Sequence, residues 1–190
     1  LESVGIKDGA FTQAKGKAIR KVVAFDVERA AVLQALEEAG IWHMPLKGSV
    51  LKDLYPKIGM RQMADNDILY DASKTPEVRT IMERLGFSTD SGYGRGIHDH
   101  FYKPPVCNFE MHRELFGPMH DARIAEYYRN VKDRLIQNDG GRYGYHLSDE
   151  DFYVYMIAHE HKHYSGSGTG LRSVLDAYVY LKKKGDTLDY

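Results

Sequence analysis

The sequence predicts an α+β fold in which helices flank a mixed β-sheet and a helical portion follows at the C-terminus. Three observations predict it. Apolar residues recur at helical spacing over 14–38, short β-type segments alternate with helical ones over 41–112, and the pattern is helical from Asp121 onward. We therefore expect a core over 1–115 that includes the N-terminal helix, and a helical C-terminal portion over 116–190.

The composition is that of a folded protein with balanced charge. Its 190 residues include 26 Lys plus Arg against 27 Asp plus Glu, and 43% are hydrophobic. This balance argues against a dedicated binder of nucleic acid or anionic membranes, which is usually strongly basic. No apolar run approaches the roughly 18–20 residues of a membrane span. The single cysteine, Cys107, excludes an internal disulfide and a cysteine-based zinc site. We expect a soluble, cytoplasmic protein with no membrane partner.

The N-terminal part of the chain predicts a helix, a strand, a tight turn and a second helix. The first helix is amphipathic, spans 14–38 and ends at Gly40, which supplies a C-terminal stop. Residues 41–46 form a short strand that enters the turn Lys47-Gly48-Ser49, and a short helix then ends before Pro56. A helix that begins directly after a strand presents free backbone N–H groups, which attract phosphate oxygens.

The middle of the chain predicts a strand, a helix and a hairpin. Residues 65–71 suit a strand and its exit, and a helix follows over 76–85. A hairpin is expected from 98–102 and 106–112. The two strands join at Pro104-Pro105, because proline is tolerated at a turn but not in a central strand.

Three helices are expected in the C-terminal portion. The first covers 121–136, and the second opens at Ser148, with Asp151 three residues on as a capping partner. The third runs from about 170 to 183. Tyrosines recur at helical spacing along these segments, as packing against a core requires.

Two acidic residues stand two positions apart on a predicted strand. Asp65 and Asp67 therefore share one face, with their oxygens close enough to bind hard divalent cations together. A third acid, Glu110, lies between apolar neighbours on a later strand, as in a mostly buried sheet. Together with the Gly48-Ser49 turn, these acids would supply a phosphate cradle and a two-metal clamp.

Each of these features is common by itself. An Asp-x-Asp is more often a solvated strand end, and a glycine after a strand is usually only a turn residue. Glu110 alone could equally be a salt-bridged surface acid. The order is more specific: strand, Gly-Ser, helix, Asp-x-Asp on the next strand, then a single acid on a later strand. This order resembles the nucleotidyltransferase superfamily that includes polymerase β.

Within that superfamily the chain most resembles a bacterial family of largely uncharacterised nucleotidyltransferases. The resemblance covers about residues 41–181, and the family would place its nucleotidyltransferase core within 1–115. Asn66 stands where the family usually has an apolar strand residue, and Glu110 replaces the commoner Asp. The motifs that carry the resemblance are Leu46-Lys47-Gly48, Tyr55-Pro56, Arg61, Asp65-Asn66-Asp67 and Glu110-Met111-His112.

The resemblance implies a metal site built from the three acids. Asp65 and Asp67 would hold two Mg²⁺ (or Mn²⁺) ions, and Glu110 would complete the site of the ion that activates the acceptor hydroxyl. These metal ligands would also be the catalytic residues.

The resemblance also implies a binding site for a nucleoside triphosphate (NTP). Gly48 and Ser49 would contact the triphosphate, and Lys47 and Arg61 would offset its charge. In-line attack on the α-phosphate would release pyrophosphate and join a nucleoside monophosphate to the acceptor, with no dedicated general base required. The acceptor stays open between a small molecule, a protein hydroxyl and an RNA end.

The histidines support competing hypotheses. His159-Glu160-His161-Lys162-His163 matches H-E-x-x-H on a predicted helix, so His159 and His163 could bind zinc with Glu160 as base, as in a zinc hydrolase. The expected third ligand position holds Thr169 instead of histidine, and packing between the C-terminal helices and the sheet explains these histidines as well as a functional role does. His98 and His100 share a strand face and could join a site with His112, but a hairpin surface is the simpler interpretation. A further alternative is an inactive module that only binds a nucleotide or a partner.

Overall fold

The computed structural model describes residues 5, 8–118, 120–166 and 170–189, with only the backbone described at 165–166. Its helices are α1 (Gly9–Glu38), α2 (Gly48–Leu51), α3 (Thr75–Arg84), α4 (Ala122–Tyr128), α5 (Asp149–Gly166) and α6 (Leu171–Lys184). Its strands are β1 (His43–Pro45), β2 (Asn66–Tyr70), β3 (Ser88–Thr89), β4 (His98–Lys103), β5 (Cys107–His112), β6 (Ile136–Gln137) and β7 (Tyr145–His146).

Five of the strands form one mixed sheet in the order β1-β2-β5-β4-β3. Strands β2 and β5 run parallel at its centre, and the other neighbouring pairs are antiparallel. The sheet with its flanking helices confirms the predicted α+β class. The hairpin of β4 and β5 is also as predicted, with its turn at Pro104-Pro105. The division of the chain at 115/116 stays a prediction.

Helices cover both faces of the sheet. On one face, α1 and α3 bury side chains such as Phe25 and Val78 against Ile68 and Phe109, which alternate along their strands with residues of the other face. On the opposite face, the C-terminal helices bury Phe152 and other side chains against β1 and β2. Asp67 and Glu110 on the central strands point to this second face, so the C-terminal helices enclose them.

Helix α1 begins earlier than the apolar pattern predicts. It starts at Gly9 instead of residue 14, because the Asp8 carboxylate accepts hydrogen bonds from the backbone N–H groups of Ala10 (2.8 Å) and Phe11 (3.1 Å). The amphipathic pattern therefore begins where α1 first approaches the core, and the N-terminus of the helix lies several residues earlier. The predicted stop is confirmed, since Gly40 adopts a φ of 71° directly after the helix.

The predicted helix over 121–136 is wrong in its second half. Helix α4 ends at Tyr128, a 3₁₀ turn spans Val131–Arg134, and the chain is extended as β6 by Ile136. Strand β6 pairs with β7, and the intervening Asp-Gly-Gly over 139–141 is a turn signal that the helical prediction overlooked. The side chain of Arg134 stays packed on the ring of Tyr127, 4.0 Å from its centroid, so the 3₁₀ turn folds back onto α4.

Asn66, polar where an apolar residue is usual, is fully buried and hydrogen-bonded. Its amide donates to the carbonyl of Phe25 (3.2 Å) and accepts from the guanidinium of Arg29 (3.1 Å). Both partners belong to α1, so Asn66 fixes that helix against β2. Among the residues that the structure describes, no helix is long and apolar enough to cross a membrane.

We expect Asn66→Ala to lower the free energy of unfolding by about 1–3 kcal/mol, because it removes the hydrogen bonds that the buried Asn66 makes with the Phe25 carbonyl and the Arg29 guanidinium. Urea denaturation measures the change. The matched control is Asn108→Ala, which removes an exposed asparagine from the neighbouring strand and should cost less than about 0.5 kcal/mol. Equal costs for the two variants would contradict the role assigned to Asn66.

Candidate active site

The sheet register brings the three predicted acids into one cleft. Asp67 on β2 lies directly opposite Glu110 on the parallel strand β5, so their side chains share a face. Asp65 stands one residue before β2, two positions from Asp67, and lines the same cleft of about 260 Å³. Lys47, Gly48 and Arg61, three of the four residues predicted to bind nucleotide, line it too. The two aspartates of the Asp-x-Asp motif and the later glutamate therefore meet in one cleft, as the sequence predicts.

Asp67 is the buried centre of the site, with 4% of its surface exposed. Its Oδ1 accepts from the Lys47 ammonium (2.5 Å) and from His112 Nε2 (3.0 Å). Burial alone would raise the pKa of Asp67, but Lys47 and His112 outweigh burial and hold that pKa well below its usual range. Asp67 is consequently a carboxylate at every pH at which the protein would be studied.

Asp65 is in the opposite electrostatic situation. Burial, followed by the negative charges of Asp67 and Glu110, raises the pKa of Asp65 to about 6. Burial opposes the ionisation of Glu110, but His112 and Lys47 outweigh burial and hold the pKa of Glu110 below its usual value, so Asp65 is the acid whose charge is least compensated. Three carboxyl groups in one cleft, one of them with a disfavoured charge, fit a divalent cation of the Mg²⁺ or Mn²⁺ type.

The ammonium of Lys47 lies where such a cation would bind. Its Nζ is 2.5 Å from Asp67 Oδ1 and 3.9 Å from Glu110 Oε2, so one positive charge bridges two of the acids. Lys47 also has a φ of 48° and is the one non-glycine residue with positive φ in the described part of the chain. Such a conformation costs on the order of 1–3 kcal/mol and is concentrated at functional sites. The turn after β1 therefore holds the Lys47 side chain in the cleft against a backbone preference.

The Arg61 guanidinium lies so close to residue 48 that only glycine fits at this position. A Cβ on Gly48 would collide with Arg61 Nη1 and lie 3.1 Å from its Cζ. Arg61 is itself held by Asp176 of α6, with Nη2–Oδ2 at 2.9 Å and Nε–Oδ1 at 3.2 Å, and Tyr55 donates a hydrogen bond to the same carboxylate (2.5 Å). Arg61 is thus both a cation at the cleft and the link between the glycine turn and the last helix.

Ser49 lies in the turn but is not among the residues that line the cleft. It is buried, and its hydroxyl donates to the carbonyl of Leu46 (2.7 Å), which ties α2 to the end of β1. Its contact with a triphosphate stays a prediction.

Helix α5 closes the cleft with histidines. His159, Glu160 and His163 line it together with the three acids, and the two Nε2 atoms of the histidines are 3.3 Å apart. Burial lowers the pKa of His159 to about 4, so this imidazole is neutral at pH 7. Glu160 accepts from the hydroxyl of Ser173 on α6 (2.5 Å), and a hydrogen bond with His159 lowers the pKa of this glutamate to about 2.

The zinc-hydrolase hypothesis lacks a third ligand in the described residues. Among them, the group of three or more metal-binding side chains that meets the distance criterion is His98, Glu110 and His112, and it does not include His159 or His163. Thr169, the position expected for the third ligand, lies outside the described residues. In the described residues, His159 and His163 face the carboxylate cleft, and the zinc-hydrolase hypothesis stays an untested alternative.

Several cleft residues were absent from the predicted site. His112 belongs to one of the motifs and to the alternative histidine site, but the sequence does not predict that its Nε2 contacts Asp67. Arg172 and Tyr155 line the cleft, and they come from helices that are distant in sequence from the acids. The His-rich character of α5 was the available signal, since a run of histidines is unusual on a helix that only packs.

The family model described as uncharacterised nucleotidyltransferase matches residues 8–190. Comparison with curated proteins returns no match. Among solved structures, the lincosamide antibiotic adenylyltransferase LnuA, lincomycin-bound, is similar with a TM-score of 0.55 and 15% identity, covering 80% of this chain and 94% of that one.

The antibiotic-resistance factor ANT(2″)-Ia is similar as well. In its complex with adenylyl-2″-tobramycin, it aligns with a TM-score of 0.56 and 12% identity over 83% of this chain and 87% of that one. Its solution structure gives 0.56 and 10% identity over 84% of each chain. At these identities the likeness shows the fold, which is that of the polymerase-β-like nucleotidyltransferases. Since the family model covers almost the whole chain, the protein belongs to the uncharacterised nucleotidyltransferase family and is a nucleotidyltransferase.

Proposed function

We propose that this protein transfers a nucleoside monophosphate from an NTP to an acceptor hydroxyl, with Mg²⁺ or Mn²⁺ held by Asp65, Asp67 and Glu110. The observation that carries the proposal is the convergence of these acids from two parallel strands into one cleft that contains more carboxylate than cationic charge. A cytoplasmic setting, where NTPs are available, is part of the proposal.

The bound divalent ions would supply charge neutralisation and activation of the acceptor oxygen. When the ions and the nucleotide bind, Lys47 would exchange its carboxylate partners for phosphate oxygens. Its ammonium bridges Asp67 and Glu110 in the metal-free cleft and, when displaced from these acids, would pair with phosphate oxygens. The pairing gives Lys47 a role in both states and explains why its strained backbone is retained.

Gly48 and Arg61 would act together on the triphosphate. The missing side chain at residue 48 lets the backbone and the guanidinium approach each other, so both face the cleft from the same side. Because Asp176 holds two of the Arg61 nitrogens, Arg61 would position the glycine turn and contribute its charge without leaving this ion pair. Arg172 at the same cleft offers a further cation for the phosphates.

A small-molecule hydroxyl is the acceptor that we favour. The cleft is about 260 Å³ and helix α5 encloses it, which suits a compact acceptor better than a long chain. LnuA bound to lincomycin and ANT(2″)-Ia bound to adenylyl-2″-tobramycin are structural neighbours with small acceptors. A protein hydroxyl and an RNA end are the alternatives to test.

The first test is stabilisation by NTP with metal. A ligand that binds only the folded state at about a hundred times its Kd adds roughly 2.7 kcal/mol of stability. We expect thermal shift to show this gain for at least one of the four triphosphates with Mg²⁺ or Mn²⁺, and pyrophosphate release once an acceptor is supplied. Binding with no transfer to any acceptor would favour the inactive-module hypothesis, and no response to any triphosphate would contradict the proposal.

Replacing Asp65 or Asp67 with asparagine should change the free energy of unfolding in opposite directions. In the metal-free protein at about pH 8, Asp65→Asn removes a carboxylate that its neighbours repel and should raise stability by up to about 2 kcal/mol. Asp67→Asn breaks the buried contacts with Lys47 and His112 and should lower stability by about 3 kcal/mol. Both variants should abolish transfer, because each removes a metal ligand.

The stability effect of Asp65 should depend on pH. A carboxyl whose folded-state pKa is raised contributes most at low pH and loses that contribution as pH rises through about 6. The gain in stability from Asp65→Asn should therefore become smaller as the pH falls from about 8 to about 5. A gain that is independent of pH, or full activity in either variant, would reject the assigned roles.

Lys47→Met should strengthen metal binding and weaken triphosphate binding. Removing the ammonium frees Asp67 and Glu110 for the ion, so we expect Mn²⁺ affinity to rise by about tenfold, equal to about 1.4 kcal/mol, in an EPR titration. The matched control is Lys52→Met, whose ammonium contacts Asp26 and Asp53 away from the cleft. Weaker Mn²⁺ binding by the Lys47 variant would show that Lys47 supports the ion instead of standing in for it.

A further inference from the structure

A group of imidazoles borders the third acid on the side away from Asp65. In the antiparallel pair of β4 and β5, His98 lies opposite His112 and His100 lies opposite Glu110. All four side chains therefore belong to the face that the C-terminal helices cover. The ring of His98 is 4.9 Å from the ring of His112 and 4.9 Å from the ring of His100, centroid to centroid. Strand pairing thus places a histidine cluster next to the carboxylate of Glu110.

Three members of this cluster are spaced as metal ligands. One ring nitrogen each from His98 and His112 and one oxygen of Glu110 lie within 4.8 Å of one another. Ligand atoms about 2.1 Å from one tetrahedral ion lie roughly 3.4 Å apart. Side-chain rotations that move these atoms by about an ångström would therefore bring them to the distances of a tetrahedral site. The ligands stand on adjacent strands of one sheet, which holds their backbones in place.

The unsatisfied atoms of the cluster are on the same two histidines. His98 Nδ1 and His112 Nδ1 are buried and have no hydrogen-bond partner among the residues that the structure describes. His112 is only 5% exposed, so an unpaired nitrogen there costs free energy that a bound ion would recover. A metal ion bound at Nδ1 would give that nitrogen the partner that it lacks.

Asp67 prepares His112 for this role. Its Oδ1 is 3.0 Å from His112 Nε2, and metal-binding histidines almost always have their second ring nitrogen bonded to a carboxylate or carbonyl. When the imidazole is neutral, Nε2 donates to Asp67 and the lone pair resides on Nδ1. The arrangement of carboxylate, imidazole and vacant nitrogen is therefore already assembled.

We propose that His98, Glu110 and His112 form a binding site for one d-block divalent cation of the zinc class, separate from the Mg²⁺ or Mn²⁺ position at Asp65 and Asp67. Two imidazoles with one carboxylate suit Zn²⁺, Co²⁺ or Ni²⁺, whereas Mg²⁺ prefers oxygen ligands and retains its water. The site shares Glu110 with the proposed catalytic cleft, so its ion would withdraw that acid from the catalytic metals. It does not require the protein to be an active transferase.

The experiment is a titration of the tag-free protein with Co²⁺, whose visible d–d absorption reports protein ligation, followed by displacement with Zn²⁺. We expect about one equivalent of Co²⁺ to give the absorption in the wild type, and His98→Ala to weaken binding by about tenfold or more. His98→Gln is the second variant should the alanine variant fold poorly. Thermal unfolding of each variant establishes that it is folded.

His163→Ala is the matched control, since it removes a histidine of the H-E-x-x-H segment and should leave the Co²⁺ absorption unchanged. Stabilisation by NTP with Mg²⁺ should persist in His98→Ala, which separates failure of this site from failure of the proposed function. The site is refuted by a wild type without Co²⁺ absorption, by absorption that survives in folded His98 variants, or by absorption that His163→Ala removes.

Discussion

The buried carboxylate of Asp67 is the constraint on which the rest of the site depends. With 4% of its surface exposed it needs partners that stabilise its charge, and it obtains them from the Lys47 ammonium after β1 and the His112 imidazole at the end of β5. These contacts join the glycine turn, the central strand and its parallel neighbour at one point. Asp65 is the acid of the three whose charge is disfavoured, because burial and the negative charges of Asp67 and Glu110 raise its pKa to about 6. In the proposed function, a divalent cation would relieve this repulsion.

The C-terminal helices complete this site instead of only covering it. Asp176 on α6 fixes Arg61, and Arg61 requires a glycine at residue 48. Helix α5 contributes the neutral imidazole of His159 to the opposite wall of the cleft. A change in α6 would therefore reach the phosphate side of the cleft through one ion pair. The family model likewise extends through these helices, to residue 190.

Much of the fold and part of the site could be predicted because their signals are local. The alternation of strand residues placed Asp65, Asp67 and Glu110 on one face, and the structure brings them into one cleft. The Arg61–Asp176 pair joins residues 115 positions apart, and no local pattern announces it. Helix α4 was extended too far because Val131 continues the apolar spacing within a 3₁₀ turn that packs in the same core. The site roles themselves stay predictions until nucleotide and metal are bound.

The central claim is that Lys47 occupies the position of a catalytic cation until metal and nucleotide arrive. A crystal structure with Mn²⁺ and a non-hydrolysable NTP analogue tests it most directly, because anomalous scattering locates the ions independently of the protein. The account predicts Mn²⁺ bound by Asp65, Asp67 and Glu110, with the Lys47 ammonium moved from Asp67 to a phosphate oxygen. An unchanged Lys47–Asp67 contact with Mn²⁺ and nucleotide bound elsewhere would contradict it.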